Sequence, residues 1–355
     1  MYSVKIFVHS SKFLKMKNIT QKPFGKHHDK QVTLFTLTNK NTMEVSVTNF
    51  GGIITSIKFP KDGKHIQTVL GFDTLEEYLS ADYRKEYPYF GAIIGRNAGR
   101  IKNGKTTLNG QTIQLSVNHN QAQLHGGFEG FDSKVWEVVS VQDKPIPSVT
   151  FRYISADGEE GFPGEVTAEV TYSLTDENEL RVDYYGTTNK PTILNLTQHA
   201  YFNLNTDSSN ILNHHLQING DRVSPLNPDY SPTGELRLVE GTQWDYRKPT
   251  LVHPDIDNAF PRQVSEEETV GSLICNESGI RMDVRTNHPV LHIYGGYYVP
   301  ELHPKNRKAT GQNAGICFEC QGFADALNYP QFQSTQLNPQ EEYKHFTIFK
   351  FIEIA

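Results

Sequence analysis

The chain has 355 residues, with 34 lysines and arginines against 40 aspartates and glutamates, for a formal net charge of −6. That balance leaves no basic field for a phosphate backbone, so nucleic acid is excluded as a partner. No apolar run is long enough to cross a bilayer, so no membrane partner is expected. Three cysteines, Cys275, Cys317 and Cys320, are too few for a disulfide framework, and a cytoplasmic location is expected.

The first residues place lysines around a short apolar patch at 4–8, too short and too interrupted by charge for a signal peptide. Residues 1–30 are read as an N-terminal extension with little structure, with Met16 as an alternative start. Residues 31–355 are read as one domain. Residues 32–38 and 43–48 alternate in the strand manner about an NKN turn, and a bend at Gly51 and Gly52 leads into a strand at 53–59. TLEE at 74–77 fits a capping box and opens a short helix to Leu79, followed by an aromatic loop over 83–90.

FGAIIGRNAGRI, at 90–101, puts Arg96 and Arg100 on one face if it is extended, beside Gly95 and Gly99. Asn103-Gly104 and Asn109-Gly110 mark hairpin turns. The polar, glycine-rich stretch 118–132 reads as a loop that carries His125 on a tight turn. Residues 136–141, 149–154, 165–174 and 180–187 read as strands, and Asp157, Glu159 and Glu160 between them as solvated turn residues. LNLTQHAYFNL at 194–204 is apolar but studded with hydrogen-bonding groups around His199. His214 and His215 are read as solvated, 236–252 as loop and short strand, and 255–260 as a polar turn. Strands are expected at 279–285, 290–298 and 346–354. GICFECQGF at 315–323 sets Glu319 in a strand-like apolar run, where a carboxylate needs a reason. Cys317 and Cys320, three apart on a strand, point to opposite faces and make neither a zinc nor a redox pair. Many short strands and almost no helix predict an all-β fold, a large antiparallel β-sandwich.

Arg100, His125, His199, Asp257 and Glu319 are the polar groups hardest to explain structurally. They amount to an acid/base kit without a nucleophile motif, a phosphate loop or a metal-ligand spacing. Proton transfer on a neutral, hydroxyl-rich molecule is what remains.

The segments GRNAGRI, QLHGG, FDSKVW, EGFPGE, LNLTQHAYFNL, GTQWDYR, DIDNAF and CFECQ, in this order and spacing, resemble the aldose 1-epimerases, or mutarotases. The resemblance implies a galactose mutarotase-like sandwich, no cofactor and no metal, and a small-molecule sugar as partner of a monomer or homodimer. It implies Glu319 as general base and His199 as general acid. It further implies Arg100, His125, Asp257 and Tyr201 as sugar contacts. Gly99 and His292 stand where asparagine and glutamine are common in the family, so they bear on the hydroxyl-binding rim together with Arg96. The expected activity is interconversion of the α and β anomers of free galactose or glucose. The alternatives are a mutarotase preferring a reducing disaccharide such as maltose, a non-catalytic sugar-binding protein, and a glycosidase using Asp257 and Glu319.

Overall fold

Alternation decides the architecture. In Val166–Leu174 every second side chain, from Val166 to Leu174, is buried and those between are half-exposed. This is a sheet with one face on a core and the other in water. Glu179–Thr188 and Ile280–Thr286 repeat the pattern. The computed structural model describes residues 18–207 and 210–355, so the apolar patch at 4–8 and Met16 lie outside the described residues.

Nine strands form one antiparallel sheet. Their order is Glu137–Gln142, Ser148–Ser155, Val166–Leu174, Glu179–Thr188, Tyr343–Glu353, Ile280–Thr286, Gly271–Cys275, His215–Ile218 and Thr250–Leu251. A five-stranded meander, Ile19–His27 through Lys64–Gln67, lies in chain order. A four-stranded sheet runs Tyr201–Phe202, Ile316–Gln321, Val290–Tyr294, Asp257–Pro261. One apolar core joins all three: Val45 and Ile57 of the meander, Ile293 and Phe318 of the four-stranded sheet, and Val170, Val182 and Phe349 of the large one. Ring contacts bridge the layers, Phe35 to Phe151 at 5.7 Å and Phe202 to Phe349 at 4.9 Å. The expected all-β sandwich is what forms.

The residues of 194–204 make no single strand. Thr192–Ile193, Thr197–Gln198 and Tyr201–Phe202 pair in turn with Gln336–Leu337, Ile93–Ile94 and Ile316–Gln321. The chain thus steps from sheet to sheet, and His199 sits on the step between the last two pairings.

Several expectations are corrected. Residues 1–30 are not all extension: Ile19–His27 is a strand paired with Lys30–Thr38, held by buried Ile19 and Phe24. Its turn uses His28 and Asp29 with φ of 45° and 62°, a hairpin geometry that Asn-Gly advertises and His-Asp does not. The predicted helix forms at Leu75–Leu79 with Thr74 as cap, but Ser80 caps a second one, Ala81–Glu86, within the supposed loop. Residues 257–261 are strand rather than turn, and the strand expected to reach 298 ends at Tyr294. His214 is fully buried, its Nε2 accepting the Leu204 N–H at 3.0 Å. Glu160 is not a free turn carboxylate: it accepts the N–H groups of Phe128 and Glu129, which ties down the loop after His125.

Candidate active site

The floor of the site is the strand Ile316–Gln321, buried along its whole length. Period two turns Phe318 and Cys320 into the core and leaves Cys317, Glu319 and Gln321 on the other face. Glu319 stands opposite His292 on the neighbouring strand, and Cys317 opposite Tyr201 on the other side. His199 is brought over this face by its own backbone. Its N–H donates to Ala92 O at 2.9 Å and its carbonyl accepts from Gly91 N–H at 3.0 Å. The Gln198 side chain braces the step, donating to Gly91 O and accepting from Ala200 N–H.

The outcome is a close pair: His199 Nε2 lies 3.6 Å from Glu319 Oε1, and both residues are 3% exposed. On its other edge, His199 Nδ1 is 3.5 Å from the Cys317 thiol. Burial lowers the pKa of His199 and the Glu319 charge opposes this, with a net shift downward. The pair opens into a cleft of about 640 Å³.

His125 enters from the 118–132 loop with φ of 52°. Its Nδ1 accepts the Gly99 N–H at 3.2 Å, which puts the proton of the neutral ring on Nε2. Burial, then the neighbouring His199, hold its pKa well below the usual value, so it stays neutral. The tight turn after it needs glycine: a Cβ on Gly126 would fall 1.8 Å from Gly95 O, at φ of 94°. The His125 and His199 rings meet edge to face at 5.2 Å. One ligand atom from each of His125, His199 and Glu319 lies within 4.8 Å of the others. They are close enough to converge on one substrate atom or one ion.

Asp257 and His292 form the far wall. His292 reaches diagonally across the strand pair, and its Nε2 is 2.8 Å from Asp257 Oδ1. Burial lowers the pKa of His292, but the bond and charge of Asp257 overcome it and the net shift is upward. Burial raises Asp257, and His292 reverses that, so its carboxyl stays below the usual range. Each thus favours the charged form of the other, and Asp257 keeps Oδ2 without a protein donor among the described residues. The Arg100 guanidinium lies over the Tyr230 ring at 5.2 Å, lining the cleft. Gly99 and Tyr201 also line it, and the Tyr201 ring packs 5.1 Å from that of His199.

Arg96 is a correction. It does not reach the cleft. It is 2% exposed, and its guanidinium donates to Ser155 Oγ and to the carbonyls of Ser155, Ala156, Pro163 and Gly164 at 2.7–3.1 Å. Residues 95–99 are not extended strand, so the period-two argument that paired it with Arg100 fails. The other expected residues, Arg100, His125, His199, Tyr201, Asp257, His292, Glu319 and Gly99, all line one cleft. Sequence reasoning missed Tyr89, Tyr294 and Gln321, which line it too. Gln321 was within reach, since it shares the face of Glu319 by alternation. Tyr89 was not, because only the fold sets its ring 4.9 Å from His125.

Comparison with known proteins identifies the family of the chain. The profile of the aldose 1-epimerase family matches residues 33–350. The chain is similar to the galactose mutarotase of Mus musculus, 37% identical over 321 residues, covering 87% of this chain and 91% of the relative. It is similar to the aldose 1-epimerase of Escherichia coli (strain K12), 32% identical over 336 residues, covering 90% and 95%. Among solved structures, an aldose epimerase homologue from C. elegans superposes with a TM-score of 0.83 at 28% identity, covering 91% of this chain and 99% of that one. A galactose 1-epimerase from Lactobacillus acidophilus NCFM gives 0.82 at 27%, covering 95% and 99%.

Proposed function

The chain belongs to the aldose 1-epimerase family, an isomerase that interconverts the α and β anomers of free aldoses, and from that premise we propose that Glu319 and His199 are its base and acid. The observation that carries this is their 3.6 Å approach at the bottom of an open cleft. Glu319 takes the proton of the C1 hydroxyl while His199 Nε2–H gives one to the ring oxygen. The C1–O5 bond breaks and the open-chain aldehyde forms. Rotation about C1–C2 turns the other carbonyl face inward, and reclosure returns both protons. The step needs two groups of opposite protonation state beside one C–O bond. Burial works against a proton on His199, and Glu319 is the neighbour that favours it most.

His125 supplies an Nε2–H and Arg100 a guanidinium for the charge that develops on the ring oxygen and at C1. Asp257 Oδ2 accepts sugar hydroxyls, and His292 holds that carboxylate in place. Tyr201 and Gly99 shape the wall. The convergence of His125, His199 and Glu319 is thus read as a site for a sugar rather than for an ion. A glycosidase would need one protonated carboxyl of the pair Asp257 and Glu319 as acid. That chemistry gives no role to His199, which stands 3.6 Å from Glu319.

The substrate is a free hexose such as galactose or glucose, and the buried free thiols suit a cytoplasmic enzyme. The test is polarimetry of freshly dissolved α-glucose, α-galactose and maltose. The protein should speed the hexoses to their equilibrium rotation above the buffer rate, with or without a chelator. No acceleration of any of the three would reject the reading.

A further inference from the structure

We propose that Gln321 is a specificity-determining residue which, together with Arg100 Nε–H, takes one particular hydroxyl of the sugar. The inference rests on reading the cleft as the sugar site. Gln321 is two residues beyond Glu319, shares its strand face and lines the same cleft. It is 2% exposed, yet its Oε1 has no hydrogen-bond partner among the described residues, and neither has Arg100 Nε. Buried polar groups are nearly always paired, so each orphan asks for an explanation. One of the two is an acceptor and the other a donor. A hydroxyl is the small sugar group that can satisfy both, since it donates once and accepts as well.

The local backbone brings the Gly99–Arg100 step up to the Gln321 amide. A Cβ on Gly99 would lie 2.6 Å from Ala324 Cβ and 3.5 Å from Gln321 Nε2. Glycine there lets the Gly99–Arg100 step approach the Gln321 amide with no side chain between. Nor is the Gln321 amide used to hold the chain in place. That task falls to Asn195, whose Oδ1 accepts Gly322 N–H at 2.7 Å and whose Nδ2 donates to Gly322 O and Ala98 O. A side chain kept only for packing at this position would have no need of an amide.

The consequence is selectivity. A site built to hydrogen-bond a hydroxyl rejects the analogue that lacks it, because its own groups are then left unpaired. The test measures kcat/KM for glucose, galactose and their monodeoxy analogues, one hydroxyl removed at a time, with the wild-type protein and with Gln321→Leu. In the wild type, removal of one hydroxyl should cost about ten- to a hundredfold more than removal of its neighbours. In Gln321→Leu the parent sugars should fall toward that analogue, and the discrimination at that hydroxyl should shrink to within about threefold. The inference is overturned if the wild-type panel is flat, a result that needs no variant. It is also overturned if Gln321→Leu slows every sugar in the same ratio. Failure of the wild type to act on any parent hexose would defeat the underlying reading instead.

Discussion

At the scale of single residues, the account turns on what surrounds His199. Its pKa is lowered by burial and pushed back up chiefly by the Glu319 charge. The proposed acid must hold a proton, so in the proposed mechanism Glu319 would serve His199 as well as the substrate. Removing that charge should lower the His199 titration midpoint further below the usual 6.5. NMR titration of His199 in Glu319→Gln against the wild type checks this, and a midpoint that rose in the variant would contradict it. The two arginines of GRNAGR divide differently. Arg100 faces the cleft, while Arg96 clamps the carbonyls of 155–156 and 163–164. Arg96→Ala would take the donor from those buried and partly buried carbonyls and should cost ~3 kcal/mol of stability. The urea midpoint should drop with the slope unchanged. Wild-type stability with a changed KM would return Arg96 to the sugar site.

At the scale of elements, what could be read in the sequence is what obeys one period. Val166–Leu174 alternates without interruption, and its boundaries were legible to within a residue. Asp257–Pro261 alternates too, but its outer positions hold Asp257 toward the cleft, so DIDNAF reads as a turn. A strand with a polar working face loses the hydrophobic contrast that sequence reading depends on. His214 was misjudged for a related reason. Its partner is a backbone N–H ten residues earlier, and only the tertiary fold puts it there. His199 and Glu319, the proposed acid and base, were legible as members of an ordered set of motifs. Their proximity was not, because His199 stands on a step between sheets that no periodicity describes.

At the scale of the molecule, one apolar core joins the three sheets, and the cleft lies where loops and the four-stranded sheet meet. The meander belongs to that frame from Ile19 onward. A chain beginning at Val32 would lose the strand Ile19–His27 and the burial of Ile19 and Phe24. At about 1.5–3 kcal/mol for each such side chain, the shortened protein should melt measurably earlier than the full chain. An unchanged Tm would mean that this strand contributes nothing to the fold. The central claim is that Glu319 moves the C1 hydroxyl proton. Its most direct measurement is the polarimetric mutarotation rate of Glu319→Gln, with the fold verified by circular dichroism. The account predicts a loss of about 10²–10⁴-fold in kcat, because the amide keeps the shape of the carboxylate and cannot accept the proton. A folded variant that turns over at close to the wild-type rate would contradict it.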